Sequence, residues 1–330
     1  MTPREALFDA ADVAPALPVC DHYSGVEARM RKSLELQGEL GPVFDVTLDC
    51  EDGAPVGGEA EHAQLCAELV MSAANRFGRV GARVHPVDHP SFEHDVDTLV
   101  RRAGARLAYL MVPKPRGLAD VRRAIEEIDH FIRIHGHGRS IPVHVLVETH
   151  GALREVDAIA AQSRIESVSF GLMDFVSAHR GAIPFHAMGV EGQFTHPLVV
   201  RAKLEIAAAC HAHAKVPSHC VVTEFKDQRA LSAAAARACR EFGYTRMWSI
   251  HPDQVRTIVE AFAPTAAETD LAIEILRGAQ AAHWAPIRHR DTLHDRASYR
   301  YFWQVVERAH RTGQPLPAEV RQAWFAAPAA

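Results

Sequence analysis

The stretch SVSFGLMDF, residues 167–175, reads as a buried strand of small and apolar residues that stops on Met173 and Asp174. A core strand that ends on a carboxylate needs a reason, and the preceding apolar run supplies one. VHVLVETHG (143–151) ends in the same way, on Glu148. Six further β-rich runs punctuate the chain: PVCDHY (18–23), FDVTLDC (44–50), ARVHPV (82–87), LAYLMVP (107–113), PSHCVVT (217–223) and RMWSIHP (246–252). Between them lie amphipathic segments such as GLADVRRAIEEIDHFIRI (117–134) and DQRALSAAAARACREFG (227–243), whose apolar residues recur every three or four positions. Apolar strands alternating with helices give a parallel sheet covered on both faces, and eight such units favour closure into a (β/α)8 TIM barrel. A doubly wound open sheet is the alternative. No GxGxxG follows any early strand, so its dinucleotide-binding form lacks its usual support.

After Phe262 the text changes to APTAAETD (263–270), a Pro-containing hinge with an N-cap pattern, and then to two further helical segments. We therefore expect the barrel over 1–262 and a C-terminal helical extension over 263–330. In that extension DRASYRYFWQVVERAHRTG (295–313) places Tyr299, Phe302, Trp303 and Val306 on one helix face, which must be buried within the chain or in a subunit interface. The terminal AAPAA (326–330) is expected to be loose.

The 330 residues are 48% apolar and 23% charged, as in ordinary globular proteins, which excludes a disordered or fibrous chain. A formal charge of −5, with no basic block beyond RMRK (29–32), offers no field for nucleic acid. The N-terminal residues lack the apolar core of a signal peptide, and no run approaches the roughly 20 apolar residues of a membrane helix. A cytoplasmic protein with no membrane partner is expected. The six cysteines, Cys20, Cys50, Cys66, Cys210, Cys220 and Cys239, show no CxxC or other metal spacing and read as reduced core thiols. Of the 21 histidines, the HGH (135–137) and HAH (211–213) pairs do not share a helix face, and they read as solvated or capping residues.

In such a barrel, functional side chains gather where strands end at their C-terminal edge. There the sequence supplies Asp49, Glu51 and Asp52 in LDCEDG, Arg83, Lys114, Glu148, Asp174 and His251. An Asp after a strand is often the N-cap of the next helix. The pair Glu148 and Asp174 is harder to explain so, because neighbouring strands would bring both carboxylates to one rim about 5 Å apart at the backbone. Two anions that close need a cation or a shared proton between them. With no His or Cys companion, hard oxygen donors point to Mg2+ or Mn2+, which keep positions for water and for a chelating 2-oxo acid. Arg83 is then a rigid donor fork for a developing oxyanion; a salt bridge to Glu51 or Asp52 is compatible with that role.

These segments resemble, in order along nearly all of the chain, the citrate lyase beta-subunit and malyl-CoA lyase proteins of the HpcH/HpaI aldolase superfamily. FDVTLDCEDGAP is similar to the family's Asp-x-Glu-Asp strand end, ARVHPVDHP to its Val-Arg-Ile-Asn segment and LMVPKP to its Pro-Lys motif. VLVETHGAL is similar to its Ile-Glu-Thr segment, FGLMDF to Gly-x-x-Asp and RMWSIHPDQV to Lys-Trp-Ala-Ile-His-Pro-x-Gln. The resemblance implies that Glu148 and Asp174 bind Mg2+ and that Arg83 contacts the reacting acyl oxygen. It implies trimers or hexamers in which a C-terminal lid reaches a neighbour's site with a proton-moving aspartate; LHDRAS places that role on Asp295. Glu51 and Asp52 would orient Arg83 and water at the ion, and Lys114 would bind substrate. The sequence departs from the family at LPVCDHYSGVEARMRK (17–32), which has neither the usual Pro-Gly turn nor the upstream Arg, at SHCVVTE (218–224) in place of Asp-Gly, and at Arg246 in place of Lys.

The implied activity is Mg2+-dependent cleavage or formation of a 3-hydroxyacyl thioester of the malyl-CoA or citryl-CoA type, yielding a 2-oxo acid and a CoA or carrier thioester through an enolate. Two alternatives remain at this stage: a metal-dependent pyruvate-type aldolase acting on free 2-oxo acids, favoured by the missing Pro-Gly turn, and a non-catalytic binding subunit on the same fold.

Overall fold

The computed structural model describes residues 1–9 and 14–325. Contacts divide the chain into two units, one of Ala14–Val259 and one of Met1–Val13 with Glu260–Ala330.

The larger unit contains a closed barrel of eight parallel strands in sequence order: β1 (Cys20–Ser24), β2 (Phe44–Asp49), β3 (Val80–Arg83), β4 (Leu110–Val112), β5 (Val143–Val147), β6 (Ile165–Phe170), β7 (Val216–His219) and β8 (Arg246–Ser249). Pairing of Cys20 with Met247 closes the ring. Each of the eight apolar runs overlaps one strand, because a strand buried on both faces has no polar face and so reads as a continuous apolar run. The long amphipathic helices between them bury an apolar stripe. In Leu118–Ile134 it is Val121, Ala124, Ile128, Phe131 and Ile132, all buried.

The fate of SVSFGLMDF differs from the expectation that strand continues to Asp174. β6 stops at Phe170, and Asp174 lies in the first turn of a short helix, Leu172–Ser177, whose N-cap is Gly171. The break has a steric cause at Gly171. A Cβ there would stand 2.3 Å from Glu148 Oε2, so only glycine lets the chain pass that carboxylate as it leaves the sheet.

Near the strand starts the barrel interior is charged. Arg246, wholly buried, donates to Asp45 Oδ2 at 2.5 Å and to the Pro18 carbonyl at 3.1 Å, and pairs with Asp21 Oδ2 at 3.1 Å. Thr47 donates to Asp21 at 2.7 Å, Tyr109 to Asp21 at 3.1 Å, and Arg79 pairs with Asp45 at 2.6 Å. The ring of His144 stacks on Tyr109 at 3.8 Å. Position at the N-terminal end of the strands marks this cluster as part of the framework.

In the smaller unit Thr265 caps the helix Ala266–Ala281 through a capping box with Glu268, as APTAAETD signals. A two-stranded hairpin, β9 (Ile287–His289) and β10 (Thr292–His294), leads into the helix Arg296–Arg311. Tyr299, Trp303 and Val306 on that helix are buried within the unit against Leu276, Val320 and Leu7, the last from the helix Pro3–Leu7. The aromatic stripe is therefore satisfied inside the chain, with Phe302 partly buried against the same cluster. No helix among the described residues is long and apolar enough to cross a membrane. The AAPAA segment lies outside the described residues.

Candidate active site

The C-terminal rim is assembled from the inside outward around Asp49, the last residue of β2. Its carboxylate accepts the amides of Glu51 at 3.0 Å and Gly53 at 2.8 Å, folding CEDG into a tight turn. Arg83 stands beside it in register at the end of β3. The guanidinium makes a two-pronged contact with Asp49, Nε to Oδ1 at 2.7 Å and Nη2 to Oδ2 at 2.5 Å, and its Nη1 faces Glu51 Oε2 at 3.0 Å. Burial favours the neutral base but the two facing carboxylates outweigh it, so Arg83 stays a cation and is fixed in orientation.

Lys114 follows β4 in the left-handed region, with φ of 48°. That conformation lets one residue act in two directions. Its amide donates to Glu148 Oε1 at 2.9 Å, while its ammonium contacts Glu51 at 2.5 Å and Asp52 at 2.6 Å and stands 3.9 Å from Asp174. Desolvation opposes the charge, but hydrogen bonds to Asp52 and Glu51 hold the amine well above its usual value.

Glu148, one residue beyond β5, is 3% exposed. Burial and, next, the charge of Asp174 push its carboxyl up to about 8. Asp174 itself is about half exposed. The N-cap reading of Asp174 does not hold, since Gly171 occupies the N-cap and no side chain caps that helix. Thus five carboxylates, Asp49, Glu51, Asp52, Glu148 and Asp174, share two cations, Arg83 and Lys114. The unbalanced charge falls on Glu148 and Asp174, where no side-chain hydrogen bond from a cation reaches Glu148 among the described residues. A buried carboxyl that holds its proton to such a high pH is relieved by a divalent ion, so the donor set fits Mg2+ or Mn2+.

Beside Arg83 opens a cleft of about 720 Å³ lined by His22, Tyr23, Arg29, Lys32, Arg83 and Trp248, among others. The rings of Tyr23 and Trp248 meet at 4.6 Å, and Arg83 lies 5.4 Å from the Tyr23 centroid. Tyr23 Oη and Trp248 Nε1 are buried without a hydrogen-bond partner among the described residues. His22 bonds Ser249 at 2.7 Å, and burial pushes its imidazole down to about 4, so it is neutral.

Of the sequence-derived candidates, Glu51, Asp52, Arg83, Lys114, Glu148 and Asp174 come together on this rim. Asp52 meets Lys114, and the residues that meet Arg83 are Glu51 and Asp49. The Lys114 ammonium, expected at substrate, is held by two carboxylates. His251 accepts the Asp253 amide and stacks on Phe225, a helix-capping position at the cleft's edge. Asp295 lies in the smaller unit as N-cap of Arg296–Arg311, where its Oδ1 accepts the Ala297 and Ser298 amides. Sequence reasoning missed Tyr23, His22 and Trp248 as cleft residues, and Asp49 as the bidentate partner of Arg83. The register of β2 and β3 pairs Asp49 with Arg83, but no local pattern announces which strand ends will meet. Of the HGH and HAH histidines, His211 is exposed and the other three are half-buried, with His135 on Asp97, His211 on the Gly243 carbonyl and His213 on Asp157.

A closed (β/α)8 barrel whose acidic rim holds a buried, oriented arginine beside an electrostatically frustrated carboxylate pair defines a class of barrel built to handle oxygen-rich anionic ligands. Residues 44–252 match the HpcH/HpaI aldolase/citrate lyase family, and the chain belongs to that family. It is 27% identical over 282 residues to the L-malyl-CoA/beta-methylmalyl-CoA lyase of Rhodobacter capsulatus, covering 80% of this chain and 86% of that one. Among solved structures it is 55% identical to a citrate lyase from Burkholderia xenovorans LB400, with a TM-score of 0.84 and 97% and 98% of the two chains covered. At 18% identity, a Mycobacterium tuberculosis protein solved with magnesium, acetoacetate and coenzyme A shares the fold with a TM-score of 0.67 over 89% of this chain and 99% of that one.

Proposed function

We propose that the protein is a divalent-metal-dependent carbon-carbon lyase acting on a 3-hydroxyacyl thioester of the malyl-CoA or citryl-CoA type. The single observation that carries this reading is Glu148, a buried carboxylate beyond the end of β5 that meets the Lys114 amide and Gly171 beside Asp174 and has no cationic side chain bonded to it among the described residues. The two residues would hold Mg2+. Bound there, the ion would supply Lewis-acid polarisation of an oxo-acid carbonyl. Arg83, locked by Asp49 and Glu51, donates hydrogen bonds to the oxygen on which negative charge builds as the carbon-carbon bond breaks. Lys114 keeps Glu51 and Asp52 in place and, through its amide, orients Glu148. Tyr23 and Trp248 wall the acyl group and exclude water from the enolate.

We assign proton transfer at the thioester α-carbon to Asp295 of a neighbouring copy in a trimer or hexamer, a role supported by the similarity of LHDRAS to the family's lid. The N-cap bonds use Oδ1 and leave Oδ2 available. Asp295→Ala should slow α-proton exchange on an acyl thioester, followed by deuterium incorporation, with Mg2+ affinity unchanged. Lost Mg2+ binding in that variant would make Asp295 a ligand instead.

A thioester is favoured over a free oxo acid by the cleft, whose volume exceeds what a small acid fills and whose outer wall bears Arg29 and Lys32. Similarity to curated malyl-CoA lyases supports the same choice. The test is an activity screen over hydroxyacyl-CoA thioesters and the matching free hydroxy acids, with Mg2+ and with chelator. Cleavage of a thioester that stops in chelator is the expected result. Turnover of free acids alone would establish the aldolase reading, and ligand binding with no turnover of either set would establish the non-catalytic one.

A further inference from the structure

Behind Asp49, away from the cleft, three soft ligands converge. Cys50 follows β2 directly, while His62 and Cys66 lie four residues apart on one face of the helix Glu59–Met71. The sequence shows no familiar metal spacing here, yet ligand atoms of all three residues lie within 4.8 Å of one another. We propose that Cys50, His62 and Cys66 form a second metal site, separate from the acidic rim, that takes a thiophilic divalent ion of the Zn2+ type.

The distances suit such an ion. Tetrahedral zinc with Zn–S bonds of ~2.3 Å sets its sulfurs about 3.8 Å apart. Cys50 Sγ and Cys66 Sγ are 3.7 Å apart. Both cysteines are buried, at 2% and 0% exposure, and neither forms a disulfide. The histidine is also set for the task. Its Nε2 bonds the Asp49 carbonyl at 2.9 Å, and a carbonyl can only accept, so Nε2 carries a proton and Nδ1 is the nitrogen left to meet a metal. Ligating histidines characteristically donate their second nitrogen to such a carbonyl.

Two thiolates and an imidazole would leave a fourth position for water on the side of the half-buried His62. The ion would clamp the helix Glu59–Met71 to the end of β2, at the residue whose carboxylate orients Arg83. This is structural zinc chemistry in softness and the opposite of the oxygen-only rim, so the two sites should sort metals by ligand type.

The test titrates full-length, reduced, metal-free protein with CoCl2 in excess MgCl2. The expected result is uptake of one equivalent of cobalt with ultraviolet thiolate-to-cobalt charge transfer and the intense visible bands of a tetrahedral ion. Both features should be displaced by ZnCl2, lost in Cys50→Ser, Cys66→Ser and His62→Ala, and retained in Glu148→Gln. Circular dichroism of each variant reports folding, and the half-buried His62→Ala keeps the test valid if a serine variant unfolds. Absence of thiolate absorption overturns the site, as does absorption that survives the variants. Oxidation of Cys50 and Cys66 to a disulfide by a protein that takes up no cobalt when reduced overturns it too, leaving a thiol pair.

Discussion

Glu148 carries the account at the scale of a single residue. Its folded-state value of about 8 stands above the ordinary 4.5, so the folded chain holds a proton that the unfolded chain has released. The sign follows. This group favours folding fully below pH 4.5, its contribution declines as pH rises from 4.5 to 8, and above 8 the loss is complete, on the order of a few kcal/mol. In metal-free protein Glu148→Gln should therefore raise the melting temperature increasingly from pH 5 to about 8, and remove the stabilisation that Mg2+ gives the parent chain. Thermal melts with Mg2+ and with chelator check this. A variant less stable than the parent at pH 8 without metal would show that Glu148 is paired rather than frustrated. The two carboxylates were legible because each ends an apolar run. The value at Glu148 was not, because it depends on burial by residues from other strands.

Turns decide the geometry at the scale of elements. The eight strands could be read because a fully buried strand has a composition of its own, but the end of β6 could not. Gly-Leu-Met-Asp continues the apolar pattern whether the chain stays extended or turns into a six-residue helix, and so short a helix shows no period. What settles it is the contact of Gly171 with Glu148, absent from any local pattern. Gly171→Ala would put its Cβ 2.3 Å from Glu148 Oε2, so the carboxylate must move. The variant should keep its far-ultraviolet circular dichroism while Mg2+ affinity falls at least about tenfold, the equivalent of ~1.4 kcal/mol. Unchanged affinity would mean that Glu148 does not hold the metal in the orientation described. The C-terminal aromatic stripe could be read as buried but not against what; Leu7, from the far end of the sequence, is part of the answer.

For the molecule as a whole, the barrel separates two kinds of charge. Near the strand starts Arg246 neutralises Asp21 and Asp45 inside the wall, while at the strand ends Arg83 and Lys114 leave Glu148 and Asp174 unbalanced. Arg246→Met should cost about 3–5 kcal/mol in denaturant unfolding, because it leaves buried Asp21 without a cation and Asp45 with Arg79 alone, without altering Mg2+ affinity. A loss below ~1 kcal/mol would mean that Arg79 alone suffices. Neither arrangement could be read from one segment, since every pair spans strands far apart in sequence; the resemblance to the family carried the site, and three-dimensional closure explains it. The central claim, that Glu148 and Asp174 jointly hold one divalent ion, is tested most directly by calorimetric titration of Mg2+ into the parent chain, Glu148→Gln and Asp174→Asn across pH 6–9. The account predicts one site in the parent, with affinity rising about tenfold per pH unit until about 8 and then levelling, and no binding in either variant. Binding that is independent of pH, or that survives both substitutions, would contradict it.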